Sequence, residues 1–356
     1  MYKVCFVLPG VSGHAVGGYK MVFEFANRLS AEGCEVSILF DNTNLYRRFR
    51  APELIRKNVA NFMTQIQPQW FKLDTKIKKI STLEKKYKEK LADIDVCIAT
   101  AVQTVDLVYN GIKAPRKVYY IQDYENWDID EKYVQETYGL GMVNVVISTW
   151  LQKIVNQYSK TKSVLIQNPI DTSIYAAKVP MCQRKQHTIG LLYHEGPHKG
   201  IKNALEVLKK VKKIYPDLTV KMFGQFPKPD LPDWIEYTRG ASQAETVEIY
   251  NWCQVFLCST IKEGYGLTGI EAMSCGACLV STDYDGVKEY AVDGYNALLS
   301  PVGDIQAQVD NVVRLFDDMD LRNKISQNGI KSTDKYSWDE AMRKFNEAIG
   351  VSVLKK

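Results

Sequence analysis

Short, largely apolar runs recur along the whole chain, each separated from the next by a stretch with helical periodicity. In the first half they read KVCFVL, EVSILF, DVCIAT, KVYYIQ, NVVIS and SVLIQ. In the second they read HTIGLLY, TVKMFG, WIEYT, VFLCS, CLVST and NALLS. A strand buried on both faces is apolar at successive positions, and strands that alternate with helices pair in parallel. The pattern predicts an α/β protein of two parallel-sheet domains, and the length of 356 residues suits two domains at ~150 residues each. The polar stretch QNPIDTSIYAAKVPMCQRKQ, with its two prolines, places the boundary between them, giving domains over 1–168 and 169–336. A C-terminal segment, 337–356, follows. There WDEAMRKFNEAI puts Trp338, Ala341, Met342, Phe345 and Ile349 on one helical face. Such a stripe must dock on something, and it is expected to cross back onto the first domain.

Charge is unevenly placed. Residues 45–90 hold 13 Lys/Arg against 4 Asp/Glu, a net +9, and the remainder of the chain sums to −4. This basic insertion reads as a solvated, partly helical segment or as a polybasic surface for anionic lipid headgroups, with Trp70 and Phe71 as membrane contacts. No nucleic-acid module accompanies the charge, so no nucleic-acid partner is expected. No apolar run approaches the ~18 residues of a membrane helix, and MYKVCFVLP reads as a first strand rather than a signal peptide. Eight cysteines without a framework fit a reducing cytoplasm.

Three strand–loop–helix junctions carry candidate chemistry. In PGVSGHAVGGYK, Gly10, Gly13, Gly17 and Gly18 would let a phosphate approach the backbone at a helix start. Asp41 closes the second strand, where a dinucleotide-binding domain keeps its ribose-binding acid, so an NAD-dependent oxidoreductase is an alternative. In LLYHEGPHKGIKNAL, Lys199 stands at a helix start where an ammonium and backbone amides can hold a diphosphate. His194 and His198, with no cysteine beside them, make a poor metal site. In EGYGLTGIEAMSCGACLVSTDYDG, Glu263, Gly264 and Gly266 crowd a helix N-terminus, and Thr268 with Glu271 spells a capping box. The C-x-x-C of Cys275 and Cys278 sits where a helix ends, the wrong place for a redox dithiol.

EGYGLTGIEAMSCGACLVSTDYDGVKEYAVDGYNALLSPVGD, with its E-x7-E pair, resembles the signature region of retaining GT-B glycosyltransferases of family 4. QNPIDTSIY resembles the opening of that family's second domain, HKGIKNALEVL its phosphate-binding lysine and following helix, and PGVSGHAVGGYKMVFEFANRLSAEGCEVSILF its N-terminal glycine loop. The resemblance implies two Rossmann-like domains facing across a cleft, with the nucleotide-sugar held mainly by the second. It implies that Glu271 binds ribose hydroxyls and that Glu263 meets the donor sugar. Amides of Gly264, Tyr265, Gly266, Leu267 and Thr268 would hold the diphosphate together with Lys199. Gly17 and Gly18 would close on the donor, and Arg239 and Gly240 would meet the base. Catalysis would rest on Glu263, Lys199, Asp123 and Gln122, without a metal or other cofactor.

Two departures stand out. His194 replaces an arginine usual in the family, which would leave more of the diphosphate charge to Lys199. Gln122 precedes Asp123 in VYYIQDYENW where relatives have a histidine that meets a sugar 6-hydroxyl, and a glutamine would tolerate a 6-deoxy sugar. YYIQDYENW and LLYHEGPHKG together resemble a rhamnosyltransferase branch. The expected donor is dTDP-L-rhamnose, ahead of UDP- or GDP-sugars. The expected acceptor is a glycan or lipid-linked glycan of a cell-surface polysaccharide, met on the inner face of the plasma membrane. A non-catalytic carbohydrate-binding or scaffolding relative is the other alternative.

Overall fold

The computed structural model describes residues 1–44, 50–127 and 129–351. Leu45–Phe49 of the basic segment, Asp128 and Ser352–Lys356 of the C-terminal segment lie outside the described residues. Internal contacts gather the chain into two units, Met1–Gln167 with Asp339–Lys356, and Asn168–Trp338.

The sheet of the first unit contains β1 (Lys3–Leu8), β2 (Glu35–Phe40), β3 (Lys78–Ser81), β4 (Val96–Ala99), β5 (Arg116–Ile121), β6 (Val143–Val146) and β7 (Val164–Leu165). Their order is β3-β2-β1-β4-β5-β6-β7, and every pairing is parallel. The interior strand β1 is apolar at successive positions because both faces are covered, and Val4 to Leu8 are at most 1% exposed. Around this sheet lie α1 (Gly17–Ala31), α2 (Glu53–Ile66), α3 (Val102–Asp106), α4 (Glu131–Tyr138) and α5 (Thr149–Tyr158). Helix α1 buries Met21, Val22, Phe25, Ala26 and Leu29, spaced as one face of a 3.6-residue period.

The basic segment is more than a solvated insertion, since it supplies α2 and the edge strand β3, which pairs with β2. Trp70 and Phe71 also differ from their expected role. Their rings lie 5.6 and 5.4 Å from that of Phe23, and the Trp70 indole donates to the Ser12 carbonyl at 3.1 Å. Both are partly buried on their own unit, because an indole with an internal partner gains nothing by leaving it.

The second unit repeats the scheme with β8 (Thr188–Tyr193), β9 (Thr219–Gly224), β10 (Ile235–Arg239), β11 (Val255–Cys258), β12 (Cys278–Thr282) and β13 (Ala297–Ser300). The order is β10-β9-β8-β11-β12-β13, again parallel. Its helices are α6 (Ile201–Ile214), α7 (Gln243–Trp252), α8 (Leu267–Ser274), α9 (Ile305–Asp317) and α10 (Met319–Thr333). Among the described residues, several aspartates that stand two apart in the sequence have structural partners. Asp93 and Asp95 bind the Lys3 ammonium and amide, Asp130 caps α4, and Asp283 and Asp285 pair with Lys288.

The last helix among the described residues is α11 (Trp338–Ile349). Its stripe of Ala341, Met342, Phe345, Ala348 and Ile349 is buried. Phe345 is fully buried, its ring 4.3 Å from Phe25, 6.2 Å from Phe6 and 6.1 Å from Tyr120. The Arg116 guanidinium donates to the Ala348 carbonyl at 2.6 and 3.0 Å, where the positive charge also suits a helix C-terminus. Truncation of such a ring leaves a cavity among aromatics. Phe345→Ala is therefore expected to cost about 3–5 kcal/mol in the urea transition of the first unit. A loss under ~1 kcal/mol would show that the helix is dispensable to that core.

Candidate active site

In an open parallel sheet, ligands sit beyond the carboxyl ends of the strands where the strand order reverses. In the second sheet that point lies between β8 and β11. The loop after β8 ends in a short turn over Pro197–Lys199, and Gly200 then takes φ +64°. A Cβ on Gly200 would lie 1.9 Å from the Ser259 carbonyl oxygen, so only glycine allows this approach. The His198 carbonyl accepts from the amides of Ile261 at 2.7 Å and Lys262 at 3.2 Å. The two loops are thus tied backbone to backbone. One consequence is an ion pair, Lys199 Nζ to Glu263 Oε1 at 2.5 Å, with side chains only 17% and 25% exposed.

The next turn is shaped by tyrosines. Gly266 caps α8 with φ +91°, and a Cβ there would meet the Tyr284 hydroxyl at 1.9 Å. The Tyr290 hydroxyl donates to the Gly266 carbonyl at 2.7 Å. Gly286 lets the chain pass under this loop, since its Cβ would lie 2.5 Å from the Glu263 carbonyl. With Gly266 as cap, Thr268 is already the second helical residue, so the expected capping box with Glu271 does not form. Glu271 is instead 8% exposed, and its Oε2 accepts from the Tyr250 hydroxyl at 3.0 Å. The Tyr265 side chain is 2% exposed and donates to the Asn168 carbonyl at 3.2 Å. It points into the unit, so only its backbone can serve a ligand. The first-turn amides of α8, at Leu267 and Thr268, precede any intrahelical acceptor and carry the positive end of the helix dipole.

The imidazoles beside Lys199 are poor cations. The Gly196 amide donates to His194 Nδ1 at 2.9 Å, which requires that nitrogen to be unprotonated and leaves a proton on Nε2 of the neutral ring. Burial, then the neighbouring Lys199 charge, lowers the pKa of His198, with Glu263 opposing. Of the three, Lys199 carries the positive charge. Arg239 ends β10 at the same carboxyl edge and Gly240 follows it; the exposed Arg239 donates through Nε to the Gln225 carbonyl at 3.2 Å. Gly240 has φ +66° and bonds to the Gly224 carbonyl at 2.7 Å. Cys275 and Cys278 are buried, and burial pushes both thiols up to about 12, the opposite of a reactive dithiol.

Gly17, Gly18, Gln122 and Asp123 belong to the first unit. A Cβ on Gly18 would lie 3.2 Å from Gln122 Nε2, so the glutamine amide rests against that glycine. Asp41 is occupied: its Oδ1 accepts from the Thr43 hydroxyl at 2.5 Å and amide at 3.2 Å, and from Thr82 at 3.2 Å. These bonds leave only Oδ2 of Asp41 for a ribose hydroxyl. Among the described residues no group of three or more His, Cys, Asp or Glu side chains could hold a metal ion.

Glu125 escaped the sequence reading. It is partly buried, and its Oε2 accepts from the Val102 amide at the start of α3 at 2.5 Å. Burial, opposed by that amide and reinforced by the charge of Asp123, pushes its carboxyl up to about 7. A carboxyl with a raised folded pKa contributes stability that is fully present below its unfolded value and lost as pH rises through the folded one. Glu125→Gln is therefore expected to gain stability over the wild type between about pH 4.5 and pH 7, with the gap constant above ~pH 8. A thermal-melt difference independent of pH would contradict a titrating carboxyl there.

Residues 185–332 match the family model described as "Glycosyl transferases group 1". An uncharacterized glycosyltransferase of Methanocaldococcus jannaschii is 21% identical over 203 residues, 56% of each chain. The capsular polysaccharide biosynthesis glycosyltransferase CapM of Staphylococcus aureus is 29% identical over 108 residues, 29% of this chain and 28% of that one. The chain spans about half the length, or less, of the curated relatives it matches. Among solved structures, HepE of Anabaena in complex with UDP-glucose superposes with a TM-score of 0.76 at 14% identity, covering 98% of this chain and 100% of that one. The fold is accordingly GT-B, two Rossmann-like domains in one α/β chain, and the match to the glycosyl transferases group 1 model lies within the second of them.

Proposed function

We propose that the protein is a metal-independent, retaining glycosyltransferase that moves a sugar from a nucleotide-sugar to a glycan or lipid-linked acceptor. The observation that carries this reading is the part-buried Lys199–Glu263 pair at the strand-order reversal, beside the N-terminus of α8. A diphosphate there meets an ammonium and the positive end of a helix together, and no catalytic metal is needed to balance its charge. Glu271, held by Tyr250, takes the ribose hydroxyls, and Arg239 with Gly240 the base. Glu263 takes sugar hydroxyls once the diphosphate competes for Lys199. Gly17, Gly18, Gln122 and Asp123 are assigned to the donor sugar on the resemblance of their two loops alone.

In the transfer, the bond from the anomeric carbon to the diphosphate oxygen breaks, and the acceptor oxygen bonds to that carbon on the same face. The acceptor proton passes to the departing diphosphate oxygen. Lys199 and the α8 amides stabilise the charge that develops there, an effect that grows toward the transition state. We read dTDP-L-rhamnose as the donor because Gln122 replaces a histidine that would select a 6-hydroxyl. The likeness to a capsular polysaccharide glycosyltransferase supports a cell-surface polysaccharide as the product, assembled at the cytoplasmic face of the membrane. The complex of HepE with UDP-glucose supports a nucleotide-sugar as the donor class.

Lys199→Ala is expected to lower kcat/KM by about 10²–10³-fold, the usual effect of removing one preorganised charge stabiliser. Glu271→Ala should mainly raise the donor KM, and Glu263→Ala should mainly lower kcat. Wild-type kinetics in all three variants would contradict the site. Turnover of dTDP-L-rhamnose should exceed that of GDP-mannose at least tenfold, and equal rates would remove the basis for a 6-deoxy donor. Binding without turnover of any nucleotide-sugar would favour the non-catalytic relative.

A further inference from the structure

Helix α2 faces the wrong way for an ordinary surface helix. Amphipathic helices bury their apolar stripe and expose their polar one. In α2 the buried residues are the small Ala60 and Thr64. Thr64 is held there by the Asn42 amide at 2.8 Å, and its own hydroxyl donates to the Ala60 carbonyl at 3.0 Å. At the helix end, Gln65 donates to the Lys79 carbonyl at 3.2 Å and Lys79 to that of Gln67 at 2.7 Å. The helix is therefore fastened to β3 by polar and small groups. The opposite face displays Ile55, Val59, Phe62 and Ile66 at spacings of four, three and four. They are 50%, 36%, 63% and 36% exposed, and the adjoining Leu54 is 72% exposed. Scattered surface apolar residues are ordinary, whereas a continuous stripe marks an interaction surface.

We infer that this face of α2 seats in the interfacial layer of an anionic bilayer. Charge decides the occupant. The segment that contains the stripe carries the net +9 of residues 45–90, against −4 for the rest of the chain. Lys72, Lys76, Lys78, Lys85, Lys86, Lys88 and Lys90 are all exposed. Two copies meeting through α2 would bring two segments of net +9 together, whereas anionic headgroups offset that charge while the stripe enters the acyl boundary. No helix among the described residues is long and apolar enough to cross a membrane, so the contact lies on the surface. This partner is the one that the lipid-linked acceptor of the proposed function requires, yet the test does not depend on catalysis.

The full chain is mixed with vesicles of phosphatidylcholine alone, or of phosphatidylcholine with about one third phosphatidylglycerol, and bound protein is measured by co-sedimentation. Binding is expected only with the anionic vesicles and is expected to weaken with salt. Ile55→Ser/Phe62→Ser, both on the exposed face and outside the core, should weaken it at least about tenfold. Replacing Lys76, Lys78, Lys85 and Lys86 by glutamine should weaken both the binding and its salt dependence. In Phe62→Trp, emission should shift to the blue on adding anionic vesicles. Absence of wild-type binding, or undiminished binding by the serine variant, would overturn the inference. So would a concentration-dependent dimer in light scattering that the serine variant abolishes, because the stripe would then be a self-association surface.

Discussion

The backbone tie between the loops after β8 and β11 is the contact on which the candidate site depends. The His198 carbonyl receives two amides from the other loop, and Gly200 allows the Ser259 carbonyl to come within the space of a Cβ. Without that approach, Lys199 and Glu263 would hang from separate loops, and ordering two long side chains would cost conformational entropy on every binding event. With it, an ammonium and a carboxylate are held opposite the start of α8 before any ligand arrives. The tyrosines beneath do the same for the other wall. Tyr284 and Tyr290 press on Gly266, and Tyr250 fixes Glu271. In the proposed transfer, preorganised charge of this kind would stabilise the leaving diphosphate without reorganisation.

Much of the architecture was legible because buried parallel strands have so distinctive a pattern. KVCFVL and CLVST are apolar at successive positions, and β1 and β12 run through them. Strand β3 was missed for the same reason. KKIS has one large apolar residue, and a sheet edge covered by a short-chained helix face needs no more. The inward turn of Trp70 and Phe71 depends on Phe23, 47 and 48 positions away in the sequence, and no local pattern encodes such a partner.

The candidate site was legible in part. Strand–loop–helix spacing drew attention to Lys199, Glu263 and Glu271, and the glycines around them have the positive φ or close contacts that explain their presence. The capping box was a false reading because T-x-x-E caps a helix only if the threonine precedes it. A positive-φ glycine two positions earlier moved the start of α8. Glu125 left no periodic trace at all. Its perturbation arises first from burial, with the α3 amide opposing and the charge of Asp123 adding to it, and burial is a property of the folded unit.

The central claim is that the second unit holds a nucleoside diphosphate through Lys199 at its strand-order reversal. Thermal denaturation of the wild type and Lys199→Ala with saturating dTDP, UDP, GDP and NAD tests it most directly. A ligand at ~100 times its dissociation constant stabilises the folded state by about 2.7 kcal/mol, or several degrees for a domain of this size. The account requires a shift with at least one nucleoside diphosphate, largest with dTDP, that is lost or much reduced in Lys199→Ala. A shift with NAD alone, or a diphosphate shift that survives the loss of Lys199, would contradict it.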